Sequence, residues 1–197
     1  MLPIINKIKK RLLFISIAFL GLSCQQASKP VSHVAAAKEY IQVLNESDYE
    51  GVISLFKDSI RMKELVYSSV FSREEYYQLF QWDSVFHPTY QILDIKEEND
   101  GVRMTVSKEC TRIRFLNEAP NVTDERLTFE QGKITHVEIL NYIVFNEATW
   151  EKNRADLVQW VEREHPALDG FLYDQTKKGA LKYLKAINLY QESKDQP

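Results

Sequence analysis

Cysteine is nearly absent from this chain, with Cys24 and Cys110 alone among 197 residues. Neither has a CxxC partner or metal-ligand spacing, which excludes a zinc ribbon or a thioredoxin-like motif. Histidine occurs four times and never as HExxH, so no metal site is expected. A glycine-rich nucleotide loop and a GxSxG elbow are also missing, and with them any expectation of a cofactor. Internal repeats, low-complexity tracts and linkers long enough to separate domains are absent too. The apolar run Leu12 to Leu22 has 11 residues, whereas crossing a bilayer takes about 20, and no later segment comes closer.

What is present at the start is an export layout. Lys7, Lys9, Lys10 and Arg11 precede that apolar run, as in a signal peptide covering residues 1–23. The run ends in Leu20-Gly21-Leu22-Ser23-Cys24, which resembles the lipobox of bacterial lipoproteins, with Gly21 where that family usually has Leu. The resemblance implies acylation of Cys24, a polar tether over residues 24–32, and a lipid-anchored envelope protein. Without an acidic run after Cys24, the periplasm-facing side is expected. Ordinary cleavage near Ser23, with Cys24 incidental and a soluble secreted product, is the alternative.

Removing residues 1–23 takes four of 25 basic residues and no acidic one, leaving 21 against 28. Such a domain, with no dense Lys/Arg cluster, cannot neutralise a phosphate backbone, so nucleic acid is not an expected partner. Acylation of Cys24 would leave Cys110 as a lone thiol and no intramolecular disulfide. Stability then rests on burial, for which some 174 residues and 12% aromatic content suffice.

Helical spacing opens the mature chain. Val34, Ala37, Tyr40, Ile41 and Leu44 share a stripe, Asp48 caps a second short helix with Val52, Ile53 and Phe56 inward, and Ser72 with Glu75 makes a capping box for a third that stops near His87-Pro88. The period then becomes two, giving strands at Tyr90 to Lys96, Val102 to Leu116, Asn121 to Glu130 and Lys133 to Phe145, with Asn99-Asp100-Gly101 and Gln131-Gly132 as positive-φ turns. Val102, Met104 and Val106 are out of phase with Ile113 and Phe115, which predicts a bulge within Ser107 to Thr111, unless the strand ends and restarts there. A helical extension over residues 147–197 follows. Its last helix is capped by Asp174, with Ala180, Leu181, Leu184 and Ile187 inward, and Trp150, Trp160 and Tyr183 are assigned to packing.

The order of three helices then a bent antiparallel meander, with the Asn45 to Gly51 turn between the first two helices, resembles the nuclear transport factor two superfamily, which includes the SnoaL-like cyclases and ketosteroid isomerase. The resemblance covers residues 33–146. It implies an α+β fold, N-terminal helices on a strongly curved antiparallel sheet (a cystatin-like cone), with a pocket at the open end. Enzymes of that family hold an acidic base or an Asp/His pair there, and no position of this chain matches those residues.

Candidate chemistry comes from three places. Alternation on the last strand sets His136, Glu138, Leu140 and Tyr142 on one face, successive Cα atoms about 6 to 7 Å apart, where a Glu–His pair can move a proton; a solvent-facing or dimer-facing strand needs only the same alternation. Arg112, if it points into the cone, can take a carboxylate ligand; otherwise Glu109 or Glu138 is its ion-pair partner, and Arg114 belongs to the same cluster. Trp82, His87 and Tyr90 join the third helix to the first strand, at the expected pocket mouth or in the core. Cys110 reads as a small buried hydrophobe.

Two functions compete. One is a membrane-anchored envelope domain that binds a small apolar or amphipathic ligand or a protein partner, with a homodimer possible. The other is an isomerase, dehydratase or cyclase-like enzyme using Glu138 or His136 as base and Tyr142 or Arg112 on the oxyanion. Substitution of Cys24 by Ser is expected to move the protein from the detergent phase to the aqueous phase in a cloud-point partition. Retention of the variant in the detergent phase would remove the anchor.

Overall fold

The computed structural model describes residues 32–194. The expected export signal, Cys24 and the expected tether up to residue 31 lie outside the described residues, as do residues 195–197. Ser32 caps α1 (His33–Asn45), its hydroxyl accepting from Ala35 N–H, and the stripe Ala37, Tyr40, Ile41 and Leu44 is buried as its period requires. Asp48 caps α2 (Tyr49–Leu55) through Gly51 N–H at 3.0 Å. Phe56, expected on the second helix, instead opens a strand.

That strand is the main departure from the sequence reading. β1 (Phe56–Glu64) and β2 (Tyr67–Phe71) form a hairpin where only a connection was expected. β1 alternates poorly, since Lys57, Asp58 and Ser59 follow Phe56, and most of β2 is exposed, so neither shows a strong period of two. Ile60 is nonetheless buried and Met62 packs against the same core. After the hairpin, α3 (Arg73–Ser84) starts with the predicted capping box, both of its hydrogen bonds formed. The chain leaves α3 through His87, at φ 54°, and Pro88.

Four antiparallel strands follow: β3 (Thr89–Glu98), β4 (Gly101–Glu109), β5 (Asn121–Glu130) and β6 (Lys133–Val144). The sheet order is β2-β1-β6-β5-β4-β3, and β1 runs parallel to β6, so the sheet is mixed rather than wholly antiparallel. It is curved and unclosed. The bend is not at Ser107 to Thr111. β4 ends at Glu109, and Cys110 caps a one-to-two-turn helix, α4 (Thr111–Asn117), by accepting from Ile113 N–H at its Sγ. The phase change there is a strand ending, and the register shifts lie at Leu93 in β3, along β5–β6, and between Phe56 and Arg61 where β1 meets β6. Gln131 and Gly132 do take positive φ in the β5–β6 turn. Gly101 serves differently: a Cβ there would stand 2.0 Å from the Leu127 carbonyl oxygen, so close strand approach requires the glycine.

α5 (Glu147–Glu164) and α6 (Lys177–Lys194) make the C-terminal layer, packing on α4 and α3. Thr176 rather than Asp174 caps α6, its hydroxyl accepting from Gly179 N–H while Asp174 holds Thr176 in place. Leu181, expected inward, is 52% exposed, and the stripe runs through Ala180, Tyr183 and Ile187. The buried side chains fall into two clusters. One lies between α1 and the inner sheet face; the other joins Phe86, Ile113 and Leu116 to Leu157, Val161, Phe171 and Ile187.

Asn117 ties α4 to the start of α5. It is fully buried, accepts from Asn146 N–H at 2.7 Å and donates to the Ala119 carbonyl at 2.8 Å, while the Asn146 amide donates to the Asn117 carbonyl. Asn117→Ala removes both bonds and leaves the part-buried Asn146 N–H and Ala119 carbonyl without their partner, and is expected to cost about 1–2 kcal/mol in a denaturant titration. A loss under about 0.5 kcal/mol would mean that water or a rearranged loop replaces both bonds.

Candidate functional site

The curved sheet leaves a hollow of about 370 Å³ between its inner face and helices α1 and α3. Parity decides which strand residues face it. Met62 on β1 pairs with Val137 on β6, and Glu64 with Ile139, so these four stand on the inner side. On β5, Glu125 lies opposite Met104 and Ile139, an inner position otherwise occupied by Leu127 and Phe129. Apolar side chains of α1 and α3, among them Ile41, Leu44 and Leu79, complete the walls.

Polar groups gather near the C-terminal end of α3. Asp83 accepts from Lys108 Nζ at 2.9 and 3.0 Å and from the Tyr90 hydroxyl at 3.1 Å, and the ammonium also sits 5.0 Å from the centre of the Tyr90 ring. Burial alone would push the Asp83 carboxyl up, but the Lys108 charge and hydrogen bonds, with help from Arg112 and Tyr90, outweigh it and hold Asp83 below the usual range. Glu125 ends on the opposite side. Burial raises it and Asp124 adds to the rise, while a 2.6 Å bond from the Thr123 hydroxyl and the Lys108 charge offset only part of it. Glu125 keeps some surface open to the hollow while protein screens it from bulk water. Burial also raises the phenols of Tyr40, Tyr76 and Tyr90, which stay neutral donors.

Arg112 reaches the hollow from α4, its guanidinium 5.0 Å from the Trp82 ring centre, 5.3 Å from Trp150 and 5.8 Å from Phe86. The acids offered for it by strand logic are engaged elsewhere: Glu109 pairs with Arg114 at 2.7 Å, and Glu138 with Lys63 at 3.4 Å. The Glu109–Arg114 pair does not line the hollow. Trp82 and Tyr90 do, whereas His87 is exposed.

His136 and Glu138 correct the sequence expectation. Val137 and Ile139 hold the inner positions of β6, so their even-numbered neighbours face outward, Glu138 to Lys63 and the His136 ring to Thr135 Oγ1 at 3.2 Å. Tyr142 shares their parity but not their face. An extra residue at Leu140 shifts the phase of β6, and the Tyr142 hydroxyl donates to Glu64 at 2.6 Å beside the hollow. Burial, then this bond, raises its phenol.

Glu125, Asp83 and Lys108 were not singled out by the sequence. Glu125 was within reach, because Thr123, Glu125, Leu127 and Phe129 share one parity and three of them suit a core face. Asp83 and Lys108 sit on a helix and a strand 25 residues apart and carry no local signature of their meeting.

A carboxyl that folding raises binds its proton more tightly in the folded chain than in the unfolded one. Stability therefore falls as pH climbs from the ordinary carboxylate range through the raised value of Glu125. Glu125→Gln is expected to abolish that decline, gaining on the parent as pH rises in paired thermal unfolding curves. Parallel pH profiles would show Glu125 ionising freely in the folded state.

No family model matches the chain, and no curated protein does. Solved structures share its outline. An NTF2-like protein of unknown function from Cytophaga hutchinsonii is 12% identical over 58% of this chain and 93% of its own, with TM-score 0.46. A cystatin-fold protein from Novosphingobium aromaticivorans is 16% identical over 57% of this chain and 100% of its own, with TM-score 0.46. SalBIII, an epoxide hydrolase/cyclase-like enzyme of salinomycin pyran-ring formation, is 19% identical over 56% of this chain and 89% of its own, with TM-score 0.45. The likeness is one of outline, and what those proteins act on stays with them.

Proposed function

We propose that the chain is an envelope-tethered binding domain whose cone takes up one small, mostly apolar ligand bearing a polar head. The observation that carries this is the hollow itself: 370 Å³, walled by Ile41, Leu44, Met62, Leu79, Val137 and Ile139, with Asp83, Lys108 and Tyr90 joined into one polar cluster at one end. Small-molecule sites of roughly 300–1,000 Å³ have this makeup, apolar walls for affinity and a few polar groups for orientation. Export and acylation at Cys24 would hold that pocket at a membrane surface, where amphipathic molecules collect. The isomerase-like alternative loses two of its proposed participants, because His136 and Glu138 face away from the hollow.

A neutral apolar dye, N-phenylnaphthylamine, tests this on the purified full chain. Saturable one-to-one fluorescence enhancement is expected, and Met62→Trp, which pushes an indole into the hollow, is expected to weaken it at least about tenfold. Absence of saturable binding, or equal affinity in parent and variant, would overturn the reading.

A further inference from the structure

Arg112 is a cation without an ion-pair contact. Among the described residues it has no acidic partner within ion-pair distance, and its Nε is buried with no hydrogen-bond acceptor. The Trp82 Nε1 beside it is likewise buried and unpartnered. Three aromatic rings hold the guanidinium in place. Their π faces give partial compensation for lost water, and they fix the plane of the fork, but they accept none of its N–H bonds. Asp83, whose carboxyl the Arg112 charge helps to hold down, is already hydrogen-bonded to Lys108 and Tyr90. At the rim, Glu64 is committed to Tyr142.

A half-buried guanidinium with a buried, unpaired Nε and no ion-pair partner, lining a mostly apolar cavity, has the form of half a bidentate ion pair. We propose that Arg112 anchors a carboxylate subsite at the α3–α4 end of the hollow, so that the ligand is a hydrocarbon amphiphile with a single carboxylate head. This rests on the hollow being a ligand site and names the ligand's class. One unpaired positive charge matches a monoanion. A phosphate head would bring up to a second negative charge and a third oxygen, for which Lys108, held by Asp83, and Lys63, paired with Glu138, are not available. Trp82 Nε1–H supplies an additional donor on the same side, and the apolar walls receive the chain.

The test is displacement of bound N-phenylnaphthylamine from the full chain by three ligands of equal chain length: decanoate, decanol and decyl phosphate. Decanoate is expected to displace the dye at about one tenth the concentration that decanol needs, and decyl phosphate to be weaker than decanoate. Arg112→Gln should erase the preference for acid over alcohol while decanol stays within about twofold of its parent value. Should that variant unfold, Arg112→Lys keeps the charge without the fork and is expected to reduce the preference at least about threefold. Equal displacement by acid and alcohol, a preference that survives in both variants, or tighter binding of decyl phosphate each overturns the carboxylate assignment while leaving the hollow as a binding site. Loss of dye binding in the parent protein itself would bring down both.

Discussion

Everything that happens in this molecule depends on a sheet that bends without closing. Register shifts at Leu93 in β3 and along the β5–β6 ladder each set an unpaired residue into one strand, and such insertions increase local twist. The inner face therefore curls around α1 and α3, and only some of the space is filled by Val102, Met104, Val106 and Leu127. The remainder is the hollow. A flat sheet of the same composition would press its inner side chains against α1 and leave no room.

The same bend explains why ionisable groups can persist inside an apolar wall. The outer face of the sheet carries ordinary surface pairs, such as Arg103 with Asp124 and Lys63 with Glu138. On the inner face, each buried charge has to be answered locally. Asp83 is answered by Lys108, and Glu125 by a tendency to keep its proton. Arg112 is answered by aromatic rings and, at longer range, by the charge of Asp83, without an ion pair. The differences in how these three groups are compensated give the hollow its chemical character more than its volume does.

The C-terminal helices bear on the site as well as on stability. α5 supplies Trp150 to the ring cluster around Arg112, and α6 packs Tyr183 against Phe86, which sits beneath the same guanidinium. Trp150, expected to serve packing alone, thus also positions a charge. The second buried cluster holds α4 in place through Ile113 and Leu116, and α4 in turn presents Arg112 to the hollow. Residues beyond the cone therefore help to set what the cone can bind.

Periodicity was enough for α1, α3, β5, β6 and the final helices, because each buries one face and so repeats apolar residues at its own period. It was also enough for the capping box at Ser72 and the positive-φ turn at Gln131-Gly132, which depend on neighbours in sequence. It missed the β1–β2 hairpin, whose weak alternation becomes meaningful only once β1 lies beside β6. It also set His136 and Glu138 on the same face as Tyr142, because a bulge at Leu140 changes facing without changing composition. The apolar pattern is written in local sequence. Which side chains meet in the hollow was decided by tertiary structure alone, since Asp83, Lys108, Arg112 and Glu125 come from four elements whose approach is set by the curvature of the sheet.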